Sequence, residues 1–359
     1  MVLKKKLNKL DYELVSEMLS KFDKLSGIKK GQSILITGGT GLIGYILTVS
    51  LVQLSLQKDL NLKIYLLTRN SQKAKSLFGS MASRLNFIEA DINNDLTTIK
   101  FKGTIDVVIH TAANTSSYDM KYKPVDVINS IVEGTRHVLE FIKHKRTQKF
   151  IYLSSMEVYG VTKLKDGIID ENFTGNVDIN SIRSSYPEGK RLAEVMVRAY
   201  AYQDGFTAII LRPTQTFGIG VDFNDKRVFA EFTREAILYN KITMLTQGRT
   251  IRSYVSTLDC VSAIIHAINM INTTDVYNVA NIEATISIHE LAELIQRGLN
   301  NKTTINIENV DAEKMGYAPV LEMKLSNSKL METGWQPKYS IKDMVNQLIY
   351  DFEYQLNDK

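Results

Sequence analysis

Tyr186 and Lys190 stand four residues apart in the run Ser-Ser-Tyr-Pro-Glu-Gly-Lys-Arg-Leu-Ala-Glu. On a helix, that spacing puts both side chains on one face. A free phenol titrates near ~10 and is a poor base at neutral pH. A cation held beside it favours phenolate and moves the pKa toward the working range. The two residues can therefore act as one acid–base device. A lone Tyr-x-x-x-Lys is weak evidence, because chance and surface helices produce many. Its meaning depends on what the surrounding elements bring to it.

The first such element is Ser33-Ile-Leu-Ile-Thr-Gly38-Gly-Thr-Gly41-Leu-Ile-Gly44, a short apolar strand opening into glycines and then an apolar helical pattern. Gly38 permits a tight turn, Gly41 lets backbone approach a pyrophosphate, and Gly44 lets the helix lie close to the sheet. Gly38, Thr40, Gly41, Leu42, Ile43 and Gly44 are thus predicted to hold a dinucleotide, NAD in the first instance with NADP left open. Further Val/Ile/Leu-rich runs predict strands at 62–68, 85–90, 105–110, 149–154 and 207–211, alternating with helices at 124–144 and 183–203. Such alternation implies a parallel sheet covered on both faces, with ligands beyond the carboxyl ends of its strands. The expected fold is α/β, a Rossmann-type doubly wound parallel sheet with a smaller mixed α/β C-terminal substrate domain.

An NAD enzyme usually offers an acid about ~20 positions past the glycines for the ribose hydroxyls. Here the second strand ends Thr68-Arg69-Asn70, with no carboxylate. Arg69 could grip a 2′-phosphate, stack on adenine, or be solvated. Asp91 could bond the adenine amine or simply form a turn.

The chain resembles the extended short-chain dehydrogenase/reductase family, in its nucleotide-sugar epimerase/dehydratase/decarboxylase branch, over roughly residues 32–350. The motifs that carry the resemblance are the glycine turn, His110-Thr-Ala-Ala113, Asn129 with Gly134-Thr135 and Ser154-Ser-Met-Glu-Val-Tyr-Gly160. They continue with Tyr186 and Lys190, Leu211-Arg-Pro213, Arg252-Ser-Tyr-Val-Ser-Thr-Leu-Asp259, Tyr277-Asn-Val-Ala280 and Gly334-Trp-Gln-Pro337. Gly189-Lys-Arg-Leu-Ala-Glu194 and Asp225-Lys-Arg-Val-Phe229 look most like the UDP-glucuronate decarboxylase subgroup.

The resemblance implies transient oxidation of a nucleotide-diphosphate sugar. Tyr186 would take the 4-hydroxyl proton as hydride leaves C4, Lys190 would hold the cofactor ribose, and Ser155 would bond the same oxygen. Ile92, Ala112, Ala113 and Pro213 would join the cofactor contacts. The 4-ketone then acidifies its neighbours or makes a 6-carboxylate a good leaving group. Members that eliminate water carry Asp-Glu where this chain has Met156-Glu157, and methionine cannot donate a proton. Glu157 is either an acid or base at C5 or a solvated loop residue. Arg227 and Arg252 offer planar forks for a diphosphate, with surface salt bridges as the plain alternative. Ser116, Ser117 and Thr216 could touch the substrate, although Asn114–Ser117 could equally cap the next helix. Asn129 is expected to brace backbone.

The expected activity is therefore epimerisation or decarboxylation. The alternatives are an NADPH-dependent keto-sugar reductase, a 4,6-dehydratase or a non-catalytic dinucleotide sensor. The chain has 359 residues with a formal charge of +5, and its lysines are scattered, so nucleic-acid binding is not indicated. A single cysteine, Cys260, fits a reducing, cytoplasmic setting, and no clustered ligands suggest a metal. No apolar run approaches the ~20 residues that span a bilayer. Lys4-Lys5-Lys6 precede no apolar stretch of the signal-peptide kind. Leu10, Leu14, Met18, Phe22 and Leu25 instead predict an amphipathic helix packed on the nucleotide domain or a partner subunit. The expected organisation is a helical extension at 1–30, a dinucleotide-binding domain at 31–213 with return segments near 250–280, and a substrate-binding part at 214–359. The resemblance also implies a homodimer.

Overall fold

A computed structural model describes residues 7–20, 22, 27–163, 167–270, 274–308 and 321–357. In chain order its strands are β1 (Ser33–Thr37), β2 (Lys63–Thr68), β3 (Leu85–Glu89), β4 (Val107–His110) and β5 (Lys149–Leu153). After these come β6 (Ile168–Ile169), β7 (Thr207–Pro213), β8 (Gln215–Phe217), β9 (Lys241–Met244) and β10 (Ile251–Ser256). The last are β11 (Asp275–Val279), β12 (Asn281–Ser287), β13 (Thr304–Ile307) and β14 (Glu322–Leu325).

Seven of them form a parallel sheet in the order β3-β2-β1-β4-β5-β7-β11. All five residues of β1 and of β5 are buried, as expected of strands covered on both faces. The order reverses between β1 and β4, so a crevice opens beyond their carboxyl ends. A second, mixed sheet runs β12-β10-β14-β6, with β8 alongside β10, and β9 pairs β13. The chain crosses between the sheets repeatedly. β6 joins the second sheet from within the first half, and β11 returns to the edge of the first.

Two local readings need correction. The helix expected across 124–144 is interrupted: Pro124–Ile128 and Gly134–Ile142 are joined by a π-helical turn, Asn129–Glu133. No single residue type announces such a turn. The N-terminal helix spans Lys9–Ser20 and packs on the helices Leu42–Gln57 and Thr257–Asn269. Its buried face, however, is Asp11, Val15, Met18 and Leu19, whereas Leu10 is exposed. A polar contact decides this rotation, since Asp11 is drawn inward by Asn8 and Asp351. Leu25 and Lys4-Lys5-Lys6 lie outside the described residues.

Candidate active site

Beyond β1, Gly38 adopts φ 71°, and a Cβ there would meet the Ala112 nitrogen at 2.7 Å. At Gly44 a Cβ would meet the Gly38 carbonyl oxygen at 2.2 Å. Only glycine allows the helix Leu42–Gln57 to start this close to the strand. Gly41 is the helix N-cap, and no side chain caps it. The first backbone N–H groups of the helix therefore face the crevice, a suitable seat for a pyrophosphate.

The helix Ser185–Asp204 supplies the reactive groups. Tyr186, Lys190 and Glu194 recur at i, i+4 and i+8, so all three face the sheet and all are buried. Lys190 Nζ donates to the Leu153 carbonyl at 2.7 Å and lies 4.7 Å from the Tyr152 ring centre. Glu194 accepts from the Ser154 hydroxyl at 2.5 Å and from Arg212 Nη2 at 2.6 Å. Arg191 donates to the Val158 carbonyl at 2.7 Å, tying the turn Met156–Tyr159 to the same helix. One helix face thus fixes the end of β5, the turn after it and β7.

Ser155 lies beside the Tyr186 phenol, where it favours the ionised form, and it accepts from the Glu157 N–H at 3.2 Å. Glu157 faces inward from the turn, where Arg183 Nη2 holds its carboxylate at 3.2 and 3.4 Å. Arg183 lies in the 3-10 turn that leads into the Tyr186 helix. Arg183 was not singled out by the sequence reading. A lone arginine carries no signature, although its position three residues before Tyr186 places it one helical turn away.

The electrostatics correct the expectation of a phenol made acidic by its lysine. Burial pushes the Tyr186 phenol well above its ordinary range and the Glu157 carboxylate adds to the rise, while Ser155, Arg183 and Arg227 oppose it. Lys190 is itself driven down to about 7 by burial, against the pull of Glu194. Desolvation disfavours the charged form of each, and the lysine is directed at a carbonyl, not at the phenol. His110 is no acid–base candidate. Fully buried, it is pushed down to about 3, and its ring nitrogens join Thr37 at 2.6 Å and Thr135 at 3.1 Å.

All the predicted cofactor and substrate residues line one cavity of about 2830 Å³. The glycine turn, Arg69, Asp91, Ile92, Ala112, Ala113 and Pro213 line it together with Ser155, Glu157, Tyr186 and Lys190. Ser116, Ser117, Thr216, Arg227 and Arg252 belong to the same lining. Several are already engaged. Ser116 caps the helix Ser117–Tyr122, Thr216 donates to the Thr214 carbonyl, and Asp91 accepts from Asn93 N–H within its own turn. Arg227 pairs with Asp225 at 2.6 Å. Ser130, not Asn129, braces the backbone, accepting from Asn114 N–H at 3.1 Å, and Asn129 lines the cavity. Arg252 Nε and the Tyr254 hydroxyl are buried without a hydrogen-bond partner among the described residues beside the cavity, as a site built for a polar or anionic ligand would leave them.

Residues 34–282 match the NAD dependent epimerase/dehydratase family. The chain belongs to that family. As a family member it is an enzyme that works with a nicotinamide dinucleotide, and the glycine cradle and uncapped helix end fit that group. It is similar to UDP-glucuronic acid decarboxylase 3 of Arabidopsis thaliana, with 29% identity over 90% of this chain and 90% of the relative. Among solved structures, UDP-glucose 4-epimerase from Thermotoga maritima superposes with a TM-score of 0.77 at 21% identity, over 90% of this chain and all of that one. UDP-glucuronic acid 4-epimerase from Bacillus cereus, in complex with NAD, gives 0.73 at 22% identity, over 90% and 99% of the two chains. These likenesses show that the epimerase/dehydratase family member shares their fold.

Proposed function

We propose that this chain decarboxylates a nucleotide-activated uronic acid, of which UDP-glucuronic acid is the model substrate, through transient oxidation at C4. The observation that carries the proposal is the convergence of Ser155, Tyr186 and Lys190 at the end of β5, with Glu157 and Arg183 on the adjoining wall of the same cavity. A bound oxidised nicotinamide supplies the electron acceptor and a positive ring charge. Tyr186 takes the 4-hydroxyl proton, Ser155 holds that oxygen, and Lys190 anchors the helix face to Leu153 and reaches the cofactor side. Arg252, whose Nε has no partner among the described residues, and Arg227 meet the diphosphate.

Chemistry favours carbon dioxide over water as the group lost. A 4-ketone is β to the 6-carboxylate, so the electrons left when carbon dioxide departs are taken up by the carbonyl without an acid for the leaving group. Loss of a hydroxyl needs that acid, and Met156 has no proton to give. The relatives named as UDP-glucuronic acid decarboxylases, matched over 90% of this chain, support the same choice.

An apolar patch of Val125, Ile128, Leu192 and Val195, on the helices Pro124–Ile128 and Ser185–Asp204, supports a homodimer. No helix among the described residues is long and apolar enough to cross a membrane. The activated pentose product suits assembly of surface polysaccharide.

Incubation with a panel of UDP-, dTDP-, GDP- and CDP-sugars, followed by mass, tests the proposal. Loss of 44 mass units, that of carbon dioxide, from a uronic acid is expected; loss of water or an unchanged mass throughout contradicts it.

A further inference from the structure

The adenosine end of the cavity has an unusual charge arrangement. β2 pairs with β1 in register, Thr37 opposite Leu67, so Arg69 and Asn70 emerge beside the glycine turn. With a pyrophosphate at the start of the helix Leu42–Gln57, the adenosine ribose of a dinucleotide lies toward the end of β2. Arg69 and Lys73 both line the cavity there and both are exposed. Neither side chain has a hydrogen-bond or ion-pair partner among the described residues.

The nearby carboxylates do not neutralise them. Glu89, at the end of β3, accepts from the N–H of Ser71 at 3.0 Å and from its hydroxyl. Asp91 is the only carboxylate among the cavity-lining residues of the segment 67–93, and one of its oxygens is engaged by Asn93 N–H at 3.0 Å. Asn70 is spent as the N-cap of the helix Ser71–Phe78, accepting from Lys73 N–H at 2.7 Å. A ribose 2′-hydroxyl finds no acid at the end of β2. A dianionic phosphate finds a planar fork and an ammonium.

We propose that Arg69 and Lys73 form a 2′-phosphate site, so that this chain selects NADP over NAD although its family is described by the latter. The inference rests on the dinucleotide reading of the cavity and not on the sugar chemistry.

Calorimetric titration of the nucleotide-stripped full chain tests it without turnover. Adenosine 2′,5′-bisphosphate is expected to bind tighter than adenosine 5′-monophosphate, and NADP tighter than NAD, by about tenfold or more. The advantage shrinks with added salt, as charge pairing at an exposed site must. Arg69→Ser brings the two mononucleotides together, Lys73→Ser narrows the gap, and Arg69→Lys restores part of it. Unchanged monophosphate affinity in the variants reports an intact fold. Equal binding of the two mononucleotides, a preference for NAD, or an Arg69→Ser variant that keeps the full discrimination overturns the site. A chain that prefers NAD yet decarboxylates a nucleotide sugar refutes this inference alone. One that prefers NADP but leaves every sugar unchanged refutes the proposed function alone.

Discussion

Tyr186 is the atom-level centre of the site, and its surroundings set a problem that its ligands must solve. Burial and Glu157 hold the phenol neutral, while Ser155 and two arginines lower the cost of ionising it. Tyr186→Phe keeps the ring and its packing but removes the proton acceptor. Turnover should fall by about 10²–10⁴-fold with dinucleotide affinity unchanged, as measured by steady-state rates beside a binding titration. A variant that retains full activity dismisses this base. Arg183→Ala removes one of the charges that offset Glu157, so the phenol is pushed further up. The limb of the pH–rate profile that reports its ionisation should move to higher pH, and a profile that stays in place contradicts the role given to Arg183. Of four residues that line one cavity, Tyr186 and Lys190 were legible in the sequence from their i, i+4 spacing, and Ser155 and Glu157 through the family resemblance. The direction of the phenol's shift was not, because burial is a property of the folded neighbourhood and no residue type encodes it.

At the scale of elements, the sequence signalled the parallel sheet well. Its central strands β1, β4 and β5 are buried throughout, and the observed bounds of β2, β3, β4, β5 and β7 lie within two residues of the expected ones. The second sheet was poorly legible. β8 has three residues and β6 two, too few for any period to show. The N-terminal helix illustrates a polar contact overriding periodicity. Asp11 and Asp351 are buried together, with Asn8 donating to both and Gly220 N–H donating to Asp351 at 2.8 Å. Burial pushes Asp11 up to about 6 and Asp351 well above the carboxylate range, so the pair favours holding a proton. Because the folded pKa is raised, the stability this proton confers is fully present below the unfolded value near ~3.8 and is lost as pH rises through about 6. Asp11→Asn supplies the same donor permanently. Thermal melts should show the variant gaining on the wild type as pH goes from about 4 to 7, at up to ~1.4 kcal/mol per unit of removed shift. A pH-independent difference refutes the shared proton.

Across the whole molecule, two sheets of different design divide the work. The parallel sheet offers helix and strand ends to a dinucleotide, and β10 of the mixed sheet brings Arg252 and Tyr254 to the lining of the same cavity. The exposed apolar stripe on the Tyr186 helix, Leu192 and Val195, lies on the side away from the sheet, where pairing of two copies would bury it. Val195→Asp should convert a dimer to a monomer in light scattering, and an unchanged mass argues against this face. The central claim, that chemistry begins with oxidation at C4, is tested most directly by UDP-glucuronic acid deuterated at C4. Carbon dioxide release slowed by the deuterium, and abolished in Tyr186→Phe, is the predicted result. Carbon dioxide release at the same rate from the deuterated and ordinary substrates, or a fully active Tyr186→Phe, would contradict it.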